Sequence, residues 1–544
     1  RACTPALLLA AVLVGLLGAA PAVAQTVVYH VDGATGSDAN TGTSWGASFA
    51  TLNAALDIAD GDDRIWIAEG VYYPDEGPGR TNDDATASFA IGGAQDGLEI
   101  YGGFANGDAF ADRDPAAKPT VLSGDIDRDD LDGDGDGIIE QPSDLRGRNS
   151  FHVVRLDGTT VSVTRDTRLE GVIITAGQAD GTPNTGGGLF CEGTFGVCSP
   201  TVADTRFVGN TGDFGGGAYF EGTRGEASPA LLDVAFVANQ AQTGGGGLYL
   251  DSFDTTSSPT LTRVVFRSNE VTGGSGGGLV ADAIRGGTLN LTITNAVFVS
   301  NTASGSGGAL YNDAFDGGDV RPVIVNAVFA GNTAGFNGGA IFEDARNGTS
   351  GSVLVNVTFA DNVVTDPSSG RGGAVYSFGG NGGSAVTDFT NVILSGNTAN
   401  EGPALYANQT DVRLRYTLLD GGPSQVETFN GTAIYEDATG ASVVFAASTN
   451  LDGDPRFANP STPAGDDGVF GTLDDGLYLT DGSLALDAGD NGALPADAQD
   501  LDDDGNTTEA IPLDLAGNDR VVDNDPGSAP TVDAGAYEAL PGTV

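Results

Sequence analysis

Seven copies of one short phrase set the hydrophobic pattern of the central part of the chain. Each copy has an aromatic residue or Leu, two variable residues and Asn, and a glycine run that opens an apolar stretch follows. Successive Asn residues are 29, 30, 32, 31, 30 and 35 positions apart. This period predicts stacked units, none of which can bury its apolar face alone. The phrases are Phe207 to Asn210, Phe236 to Asn239, Phe266 to Asn269, Phe298 to Asn301, Phe329 to Asn332, Phe359 to Asn362 and Leu394 to Asn397.

Within each unit, strand-like stretches alternate with turns of Gly, Asn, Asp and Ser. Helical periodicity is absent from the sequence between residues 120 and 440. The pattern therefore predicts an all-β, right-handed parallel β-helix whose coils stack about 4.8 Å apart. Stacking places equivalent residues above one another. We expect the Phe positions to form an inward aromatic column and the Asn positions an amide ladder, both with structural roles.

A short capping helix is predicted before the repeats. Phe49, Leu52 and Leu56 share one face of an amphipathic pattern, and Ser48 is the expected N-cap. An open solenoid end presents an unpaired strand edge. We therefore expect this helix to lie across the first coil and cover it.

The mature chain divides into three predicted regions. Residues 25–150 hold the N-terminal cap and the first irregular coils, and residues 151–440 hold the β-helix repeats. In residues 441–544 the repeat fades into a segment rich in Asp, Gly and Pro. Two short strands are predicted in that last region, at 476–479 and 534–539.

The first 24 residues are predicted to be a secretory signal peptide. An uncharged apolar run from Leu7 to Ala20 precedes the small-residue sequence Ala22-Val-Ala24, which is typical of a cleavage site. No other segment approaches 18 uninterrupted apolar residues, so we expect no membrane span and an extracellular or bacterial cell-surface location. Because the sequence contains no Met, including at position 1, we expect the true start and the far end to lie outside it.

Two cysteines remain after removal of the signal peptide. Cys191 and Cys198 are seven positions apart, close enough for a local disulfide in an oxidising compartment. Two unreactive thiols are the alternative, because the neighbouring repeats contain no cysteine.

The formal net charge of -51, with Lys118 as the single lysine, disfavours nucleic acid and anionic membranes as partners. Solubility in a salty habitat and hydrated surface loops are two simple explanations of this charge. Calcium binding is a third, because carboxylate oxygens are ligands that Ca²⁺ prefers.

The strand after each glycine run carries three aligned sets of residues. Side chains alternate along a strand, so the acids and the aromatic residues share one face and the aliphatic residues take the other. We expect the aliphatic set to point inward and the rings and carboxylates to form an outer strip, unless the acids lie in the following turn. The acids are Glu192, Glu221, Asp251, Asp282, Asp313 and Asp344, the aromatic set is Phe190, Tyr219, Tyr249, Val280, Tyr311 and Phe342, and the aliphatic set is Leu189, Ala218, Leu248, Leu279, Leu310 and Ile341.

Stacked carboxylates repel one another by about 0.9 kcal/mol per pair, even at the dielectric constant of water. Raised pKa values, bound cations or ligand hydroxyls could relieve this repulsion. Rings beside carboxylates also suit sugar binding, whereas the simplest alternative is solvated acids beside rings that only support the sheet. The candidate ligand-binding residues are Tyr219, Glu221, Tyr249, Asp251, Asp282, Tyr311, Asp313 and Asp344.

Two acidic loops resemble calcium-binding loops. The first has acids at positions 1, 3, 5 and 9 and glycine at position 6, but Ser143 replaces the glutamate that closes an EF-hand. The second loop also has acids at positions 1, 3 and 5 and glycine at position 6, but it then differs from the first and has Glu509 at position 10. Solvated acidic turns are the alternative. The predicted ligands are Asp132, Asp134, Asp136 and Glu140 in the first loop and Asp500, Asp502 and Asp504 in the second.

Two resemblances to known families cover about two thirds of the mature chain. The phrase with its glycine run, as in Gly307-Gly-Ala-Leu-Tyr311 and Gly338-Gly-Ala-Ile-Phe342, resembles the polymorphic outer-membrane protein repeat. The C-terminal text, including Gly482-Ser-Leu-Ala-Leu-Asp-Ala-Gly-Asp490 and Val532-Asp-Ala-Gly-Ala-Tyr-Glu538, resembles the choice-of-anchor Q domain of bacterial surface proteins. These resemblances imply a secreted β-helix of the pectin lyase-like kind at a bacterial surface, and neither implies a ligand or a reaction.

The sequence favours a noncatalytic structural or adhesive module, or one that contacts polysaccharide or another cell surface. The alternative is a polysaccharide lyase or glycoside hydrolase that uses stacked Asp251, Asp282 and Asp313. An enzyme needs a unique cluster, whereas this chain shows repetition. His30 and His152 are expected to be structural. The candidate bases for the enzyme alternative are Arg224, Arg263, Arg267, Arg285 and Arg321.

Overall fold

The computed structural model describes residues 26–522 and 529–539, so the predicted signal peptide lies outside the described residues. The protein is a parallel β-helix of about 13 turns, as the repeat predicts. Strands of successive coils pair in parallel and in register, so that Leu310 pairs with Leu279 on one side and with Ile341 on the other. Among the described residues, no helix is long and apolar enough to cross a membrane.

The strands form three sheets along the solenoid. The first contains Val28–Val31, Arg64–Ala68, Gly70–Tyr72, Glu99–Phe104, Thr120–Ser123, Arg168–Glu170, Ile173–Thr175, Thr201–Val208, Ala230–Val237, Thr256–Ser257, Thr260–Arg267, Thr288–Leu289, Thr292–Val299, Asp319–Val320, Val323–Ala330, Thr349–Ser350, Val353–Ala360, Ser384–Thr390, Ile393–Ser395, Asp411–Arg415, Leu418–Leu419, Thr432–Glu436, Ser442–Val443 and Leu451–Asp452. The second contains Gln178–Ala179, Thr211–Phe214, Gln240–Gly244, Glu270–Val271, Thr302–Ala303, Thr333–Ala334 and Val363–Val364. The third contains Phe89–Gly92, Val154–Asp157, Leu189–Glu192, Ala218–Glu221, Leu248–Phe253, Leu279–Ile284, Leu310–Phe315, Ile341–Asp344, Val375–Phe378, Leu405–Asn408 and Val426–Phe429. The α-helix is Leu52–Leu56, and the 3-10 turns are Trp45–Ala47, Gly93–Gln95, Phe110–Asp112, Pro142–Asp144, Gly380–Gly382, Gly422–Gln425, Phe445–Ala447 and Asn491–Ala493.

The predicted aromatic column is confirmed. Six phenylalanines stack through the interior with ring centroids 4.6 to 4.9 Å apart and ring planes within 13° of parallel. All six are 0 % exposed, and Leu394 continues the column because it pairs with Phe359. The stacked rings are Phe207, Phe236, Phe266, Phe298, Phe329 and Phe359.

The predicted asparagine ladder is also confirmed. The Asn239 Nδ2 donates to Asn269 Oδ1 at 3.0 Å and to the carbonyl oxygen of Phe207 at 2.9 Å. The same Oδ1 accepts from the backbone N–H of Asn239 at 3.1 Å. Equivalent contacts recur from Asn210 to Asn397, so the amides satisfy buried backbone groups in coil after coil.

A second asparagine ladder, which the sequence analysis missed, lies where the long strands of the first sheet bend. Its members have φ between 50° and 56°, a left-handed conformation that Asn tolerates better than most residues. The Asn326 Nδ2 donates to Asn295 Oδ1 at 3.0 Å, and Asn356 and Asn391 continue the row with bonds of 3.2 and 3.0 Å. This ladder faces the C-terminal segment.

The capping helix is shorter than predicted, and Ser48 is not its N-cap. The helix spans Leu52–Leu56, and the Thr51 Oγ1 accepts from the backbone N–H of Ala54 at 3.3 Å. Phe49 is extended instead, because it pairs with Val31. The Asp38 carboxylate accepts from the backbone N–H groups of residues 50 and 51 and so holds the chain in a turn at this point. Phe49, Leu52 and Leu56 are nevertheless all buried in the core, as their pattern predicts.

The two strands predicted in the C-terminal region are wrong. Residues 476–479 and 534–539 form turns and bends, apart from a single antiparallel bridge between Leu479 and Phe457. Their apolar side chains, among them Tyr537, pack against the outside of the solenoid. The alternating apolar pattern of these segments therefore reflects burial and not strand pairing. Their backbone N–H groups donate to carboxylates and to carbonyl oxygens that are not part of a strand ladder.

Candidate functional site

The acidic and aromatic residues of the third sheet form one continuous strip. Each acid pairs in register with the acid of the next coil, for example Asp251 with Asp282 and Asp282 with Asp313. The aliphatic set is 0 % exposed and points inward, as predicted. The acids belong to the strands themselves, so the alternative that placed them in the following turns is wrong.

The strip is more enclosed than an outer surface implies. Asp251, Asp282 and Asp344 are 7 %, 5 % and 2 % exposed. The ring of Phe214, in strand Thr211–Phe214 of the second sheet, stands edge-on to the ring of Tyr249 with centroids 5.3 Å apart. Part of the cover therefore comes from the neighbouring sheet, which the pattern of the third sheet alone does not reveal. The members that remain half-buried are Glu192, Tyr219, Glu221, Tyr311 and Asp313.

Hydroxyl groups and arginine side chains compensate part of the acidic charge. The Tyr249 hydroxyl donates to Asp282 Oδ2 at 2.5 Å, and the Tyr311 hydroxyl donates to Asp344 Oδ2 at 2.9 Å. Asp344 also receives the Arg346 guanidinium through Nε at 2.9 Å and Nη2 at 2.7 Å. The strip therefore contains its own hydrogen-bond partners, which limits its demand for cations.

Two carboxyl oxygens of the strip remain unsatisfied. The Oδ1 atoms of Asp282 and Asp313 are buried and have no hydrogen-bond partner among the described residues. Burial raises the pKa of Asp251 to about 6, and burial together with the charge of Asp344 raises the pKa of Asp313 to about 6. Burial and the charge of Asp313 raise the pKa of Asp282 well above its usual range. These shifts favour the uncharged, protonated form of the three carboxyl groups, which would reduce the repulsion at the centre of the strip.

None of the five arginines predicted as bases pairs with a carboxylate of the strip in the described part of the chain. Arg224, Arg263 and Arg321 pair instead with acids outside it. The arginines that reach the strip are Arg346 and Arg155, which the sequence analysis missed. Alignment of one further coil would have found Arg155, because it pairs in register with Phe190 and forms an ion pair with Glu192 at 2.7 Å.

The remaining predicted residues have structural surroundings. Nδ1 of His30 and of His152 lie 3.2 and 3.1 Å from backbone carbonyl oxygens, and both rings are buried. Cys191 and Cys198 form a disulfide bond in the structure. These positions leave the strip and the acidic loops as the candidate sites from the sequence.

The first acidic loop brings three of its four predicted ligands together. One carboxylate oxygen each from Asp132, Asp134 and Asp136 lies within 4.8 Å of the others. Glu140 lies outside this group. In the second loop, Asp500, Asp502 and Asp504 form a similar group. Asp125, Asp129 and Asp130 form a third group of carboxylates, which the sequence pattern does not reveal.

A cleft beside the first loop is lined by charged residues, of which Asp204 and Asp233 occupy equivalent positions in successive coils. The cleft has a volume of about 370 Å³ and is lined by Arg206, Asp136, Asp204 and Asp233. Partial burial and the charge of Arg267 lower the pKa of Arg206, against the opposing charge of Asp136. Arg206 therefore lies in the cleft as a cation among three carboxylates.

One family model matches part of the chain. It describes the Chlamydia polymorphic membrane protein repeat and covers residues 295–313. This segment contains one copy of the phrase, Phe298 to Asn301, with its glycine run and strand. A search of curated proteins found no match.

Several solved structures resemble this fold. Pectate lyase Pel9A is 14 % identical over 95 % of this chain and 98 % of that chain, with a TM-score of 0.47. A rhamnogalacturonan lyase is 13 % identical over 84 % and 97 %, with a TM-score of 0.33. The GH136 lacto-N-biosidase from Eubacterium ramulus is 12 % identical over 78 % and 68 %, with a TM-score of 0.33. At these identities the likeness concerns architecture and does not bear on activity.

Proposed function

We propose that the protein is exported and acts outside the cell as a rigid, noncatalytic β-helix that adheres to polysaccharide or to another cell surface. The observation that carries this proposal is the repeated strip, in which Tyr219 with Glu221 and Tyr311 with Asp313 stay half-buried at equivalent positions three coils apart. Three coils span about 14 Å. Two such pairs offer two contacts to one extended sugar chain.

The chemistry of each half-buried pair suits a sugar. The Tyr219 ring stacks on Tyr249 and the Tyr311 ring on Phe342, so the uncovered part of each ring would contact the apolar face of a pyranose. The neighbouring carboxylate can accept a hydrogen bond from a sugar hydroxyl. Between the pairs, the Tyr249 hydroxyl donates to Asp282 and links two neighbouring coils. A preorganised surface loses little conformational entropy on binding. Repetition of the same residue types favours adhesion over catalysis.

The Tyr219→Ala, Tyr311→Ala double variant should lose most of its carbohydrate binding. We expect at least a tenfold weaker affinity for the best ligand of the wild-type protein, first identified on a glycan array, because both ring contacts are removed. Phe429→Ala is the matched control, since its ring is 55 % exposed on the same sheet but outside the strip. The proposal fails if the wild-type protein binds no glycan on the array, or if the double variant binds the ligand as tightly as the Phe429→Ala control does.

We extend the proposal to calcium at the first acidic loop. Asp132, Asp134 and Asp136 offer clustered carboxylate oxygens, the ligand type that Ca²⁺ prefers. The Asp132 oxygens accept from the backbone N–H groups of Gly135 and Gly137 at 2.7 and 2.8 Å, so the loop is already curved around this cluster. Calcium bound here would stabilise an exposed loop of an exported protein.

A polysaccharide lyase or glycoside hydrolase is the second candidate function, and the cleft around Arg206 favours it. Arg206 pairs with Ile173 and Ala235 in the neighbouring coils, so its charge does not recur there. Calcium at the neighbouring loop would supply charge that acidifies the proton next to a uronate carboxylate. The neutral form of Arg206, whose share a lowered pKa increases, would accept that proton, and the bond from the neighbouring ring carbon to the leaving glycosidic oxygen would break. Asp204 and Asp233 line the same cleft and would limit which charged sugars enter.

An absorbance assay for unsaturated uronates decides between the two functions. With calcium present, we expect no turnover of pectin, alginate or chondroitin chains by the wild-type protein. Turnover that Arg206→Ala abolishes and Glu270→Gln leaves intact would instead establish the second candidate. Glu270→Gln is the control, because Glu270 is an exposed residue of the second sheet. Turnover abolished by Asp282→Ala would place catalysis in the strip and would overturn the noncatalytic proposal.

A further inference from the structure

The loop of residues 496–510 in the C-terminal segment is closed at its base by backbone hydrogen bonds. Ala496 and Ala510 form an antiparallel bridge, and the backbone N–H of Asp497 donates to the carbonyl oxygen of Glu509 at 2.8 Å. These bonds place Asp497 and Glu509 opposite each other. Asp502 returns from the tip of the loop, and one carboxylate oxygen from each of the three acids lies within 4.8 Å of the others.

Asp497 is a buried carboxyl group with an unused oxygen. Its side chain is 1 % exposed, and its Oδ2 accepts from the backbone N–H of Leu501 at 2.7 Å. Its Oδ1 has no hydrogen-bond partner among the described residues, and the same holds for Oε1 of Glu509. Burial, followed by the charges of Asp502 and Asp500, raises the pKa of Asp497. A buried acid that faces two other acids is costly unless a cation or a proton compensates it.

No arginine, lysine or histidine supplies that compensation within the described residues. The nearby Arg263 is engaged by Asp233 through two bonds of 2.6 and 2.9 Å. Asp500 and Asp504, which the sequence predicts as ligands with Asp502, each accept through Oδ1 from a backbone N–H group within the loop, at 3.0 and 2.7 Å. The buried carboxylate oxygens of this loop that lack a partner among the described residues belong to Asp497 and Glu509.

We propose that Asp497, Asp502 and Glu509 bind one divalent cation, and that this cation latches the C-terminal segment to the solenoid. Three carboxylates with all-oxygen donors select Ca²⁺ over softer metals. This site revises the calcium site predicted from sequence at the second acidic loop, because its ligand set differs from Asp500, Asp502 and Asp504. It does not depend on carbohydrate binding.

The proposed latch rests on the contacts between the loop and the solenoid. Leu501 and Ile511 are buried against Val325 and Val355 of the solenoid. Just beyond the loop, the carbonyl oxygen of Leu513 accepts from the side chain of Asn326 in the second ladder at 2.8 Å. A cation that closes the loop would hold these apolar side chains in the orientation that docks. Its removal would release the segment without unfolding the repeats.

Calcium titration calorimetry of the full chain tests the ligand set. The Asp132→Asn, Asp134→Asn, Asp136→Asn variant serves as background, because it removes calcium binding at the first loop. A failure of the first-loop proposal can then be distinguished from a failure of the latch proposal. On this background, Asp497→Asn and Glu509→Gln should each weaken calcium binding at least tenfold. Asp481→Asn, an exposed acid of the same segment, should leave it unchanged. Equal affinity of Asp497→Asn and the background would overturn the proposal.

Limited proteolysis supplies the second readout. Chelation should speed cleavage within residues 453–539 at least fivefold while the repeats stay intact, and Asp497→Asn should be cleaved quickly with or without calcium. If Asp497 and Glu509 share a proton instead, Asp497→Asn will stay protected in chelator, because the neutral amide replaces a neutral acid. That result would also overturn the proposal, and it would not affect the first loop.

Discussion

Phe298→Ala should lower the free energy of unfolding by about 3 to 5 kcal/mol. The Phe298 ring is 0 % exposed and stacks between Phe266 and Phe329 with centroid distances of 4.7 and 4.6 Å. Removal of the ring leaves a cavity and breaks two aromatic contacts at once, and coils above and below cannot close the gap without loss of strand register. Guanidinium unfolding followed by circular dichroism measures the loss.

Two further variants bracket this result. Phe298→Leu should cost less than half as much, because Leu394 already occupies the last position of the same column. Phe336→Ala should cost less than about 0.5 kcal/mol, since its ring is 57 % exposed. If Phe298→Ala costs no more than the Phe336 control, the rings do not carry the stability of the solenoid.

The protein should resist guanidinium better at pH 5 than at pH 8, with calcium chelated. The pKa of Asp251 and of Asp313 is raised to about 6 in the folded protein. A folded pKa above the unfolded value means that the native state holds the proton more tightly. The stabilisation is fully present below about pH 4 and is lost as the pH rises through 6, by up to about 3 kcal/mol per group.

Asp282→Asn should raise the unfolding midpoint at pH 8 and change it little at pH 5. Burial and Asp313 raise the pKa of Asp282, so an amide that cannot ionise removes the repulsion and can still accept from the Tyr249 hydroxyl. Glu270→Gln is the control, because Glu270 is exposed and should not alter the pH dependence. A wild-type unfolding midpoint that is lower at pH 5 than at pH 8 would contradict the burial of these carboxyl groups.

Much of the solenoid could be predicted because its repeat makes equivalent positions neighbours. Once the period of the Asn residues is known, Phe298 must lie near Phe266 and Phe329, and Asn301 near Asn269 and Asn332. The register follows from the hydrophobic pattern, since a slip by one residue would turn the leucines outward. The acid and aromatic strip followed from the same reasoning.

The errors share a physical cause, which is dependence on contacts that do not repeat. The helix begins at Leu52 because Asp38, far back in the chain, holds the preceding turn. Tyr537 and its neighbours form no strand because carboxylates and an arginine bind their backbone. The Arg520 guanidinium, for example, donates to three carbonyl oxygens between Asp533 and Ala536. Residue types alone do not reveal such partners.

The sequence by itself determined the β-helix, the inward Phe column, the Asn ladder and the outer placement of the acids, because one translation relates every coil to the next. Only the tertiary structure decided which acids are enclosed, that Arg346 and not the predicted arginines serves the strip, and that Asp497 faces Glu509. Those properties arise where turns and the C-terminal segment meet the solenoid, and long-range packing governs such contacts instead of local periodicity.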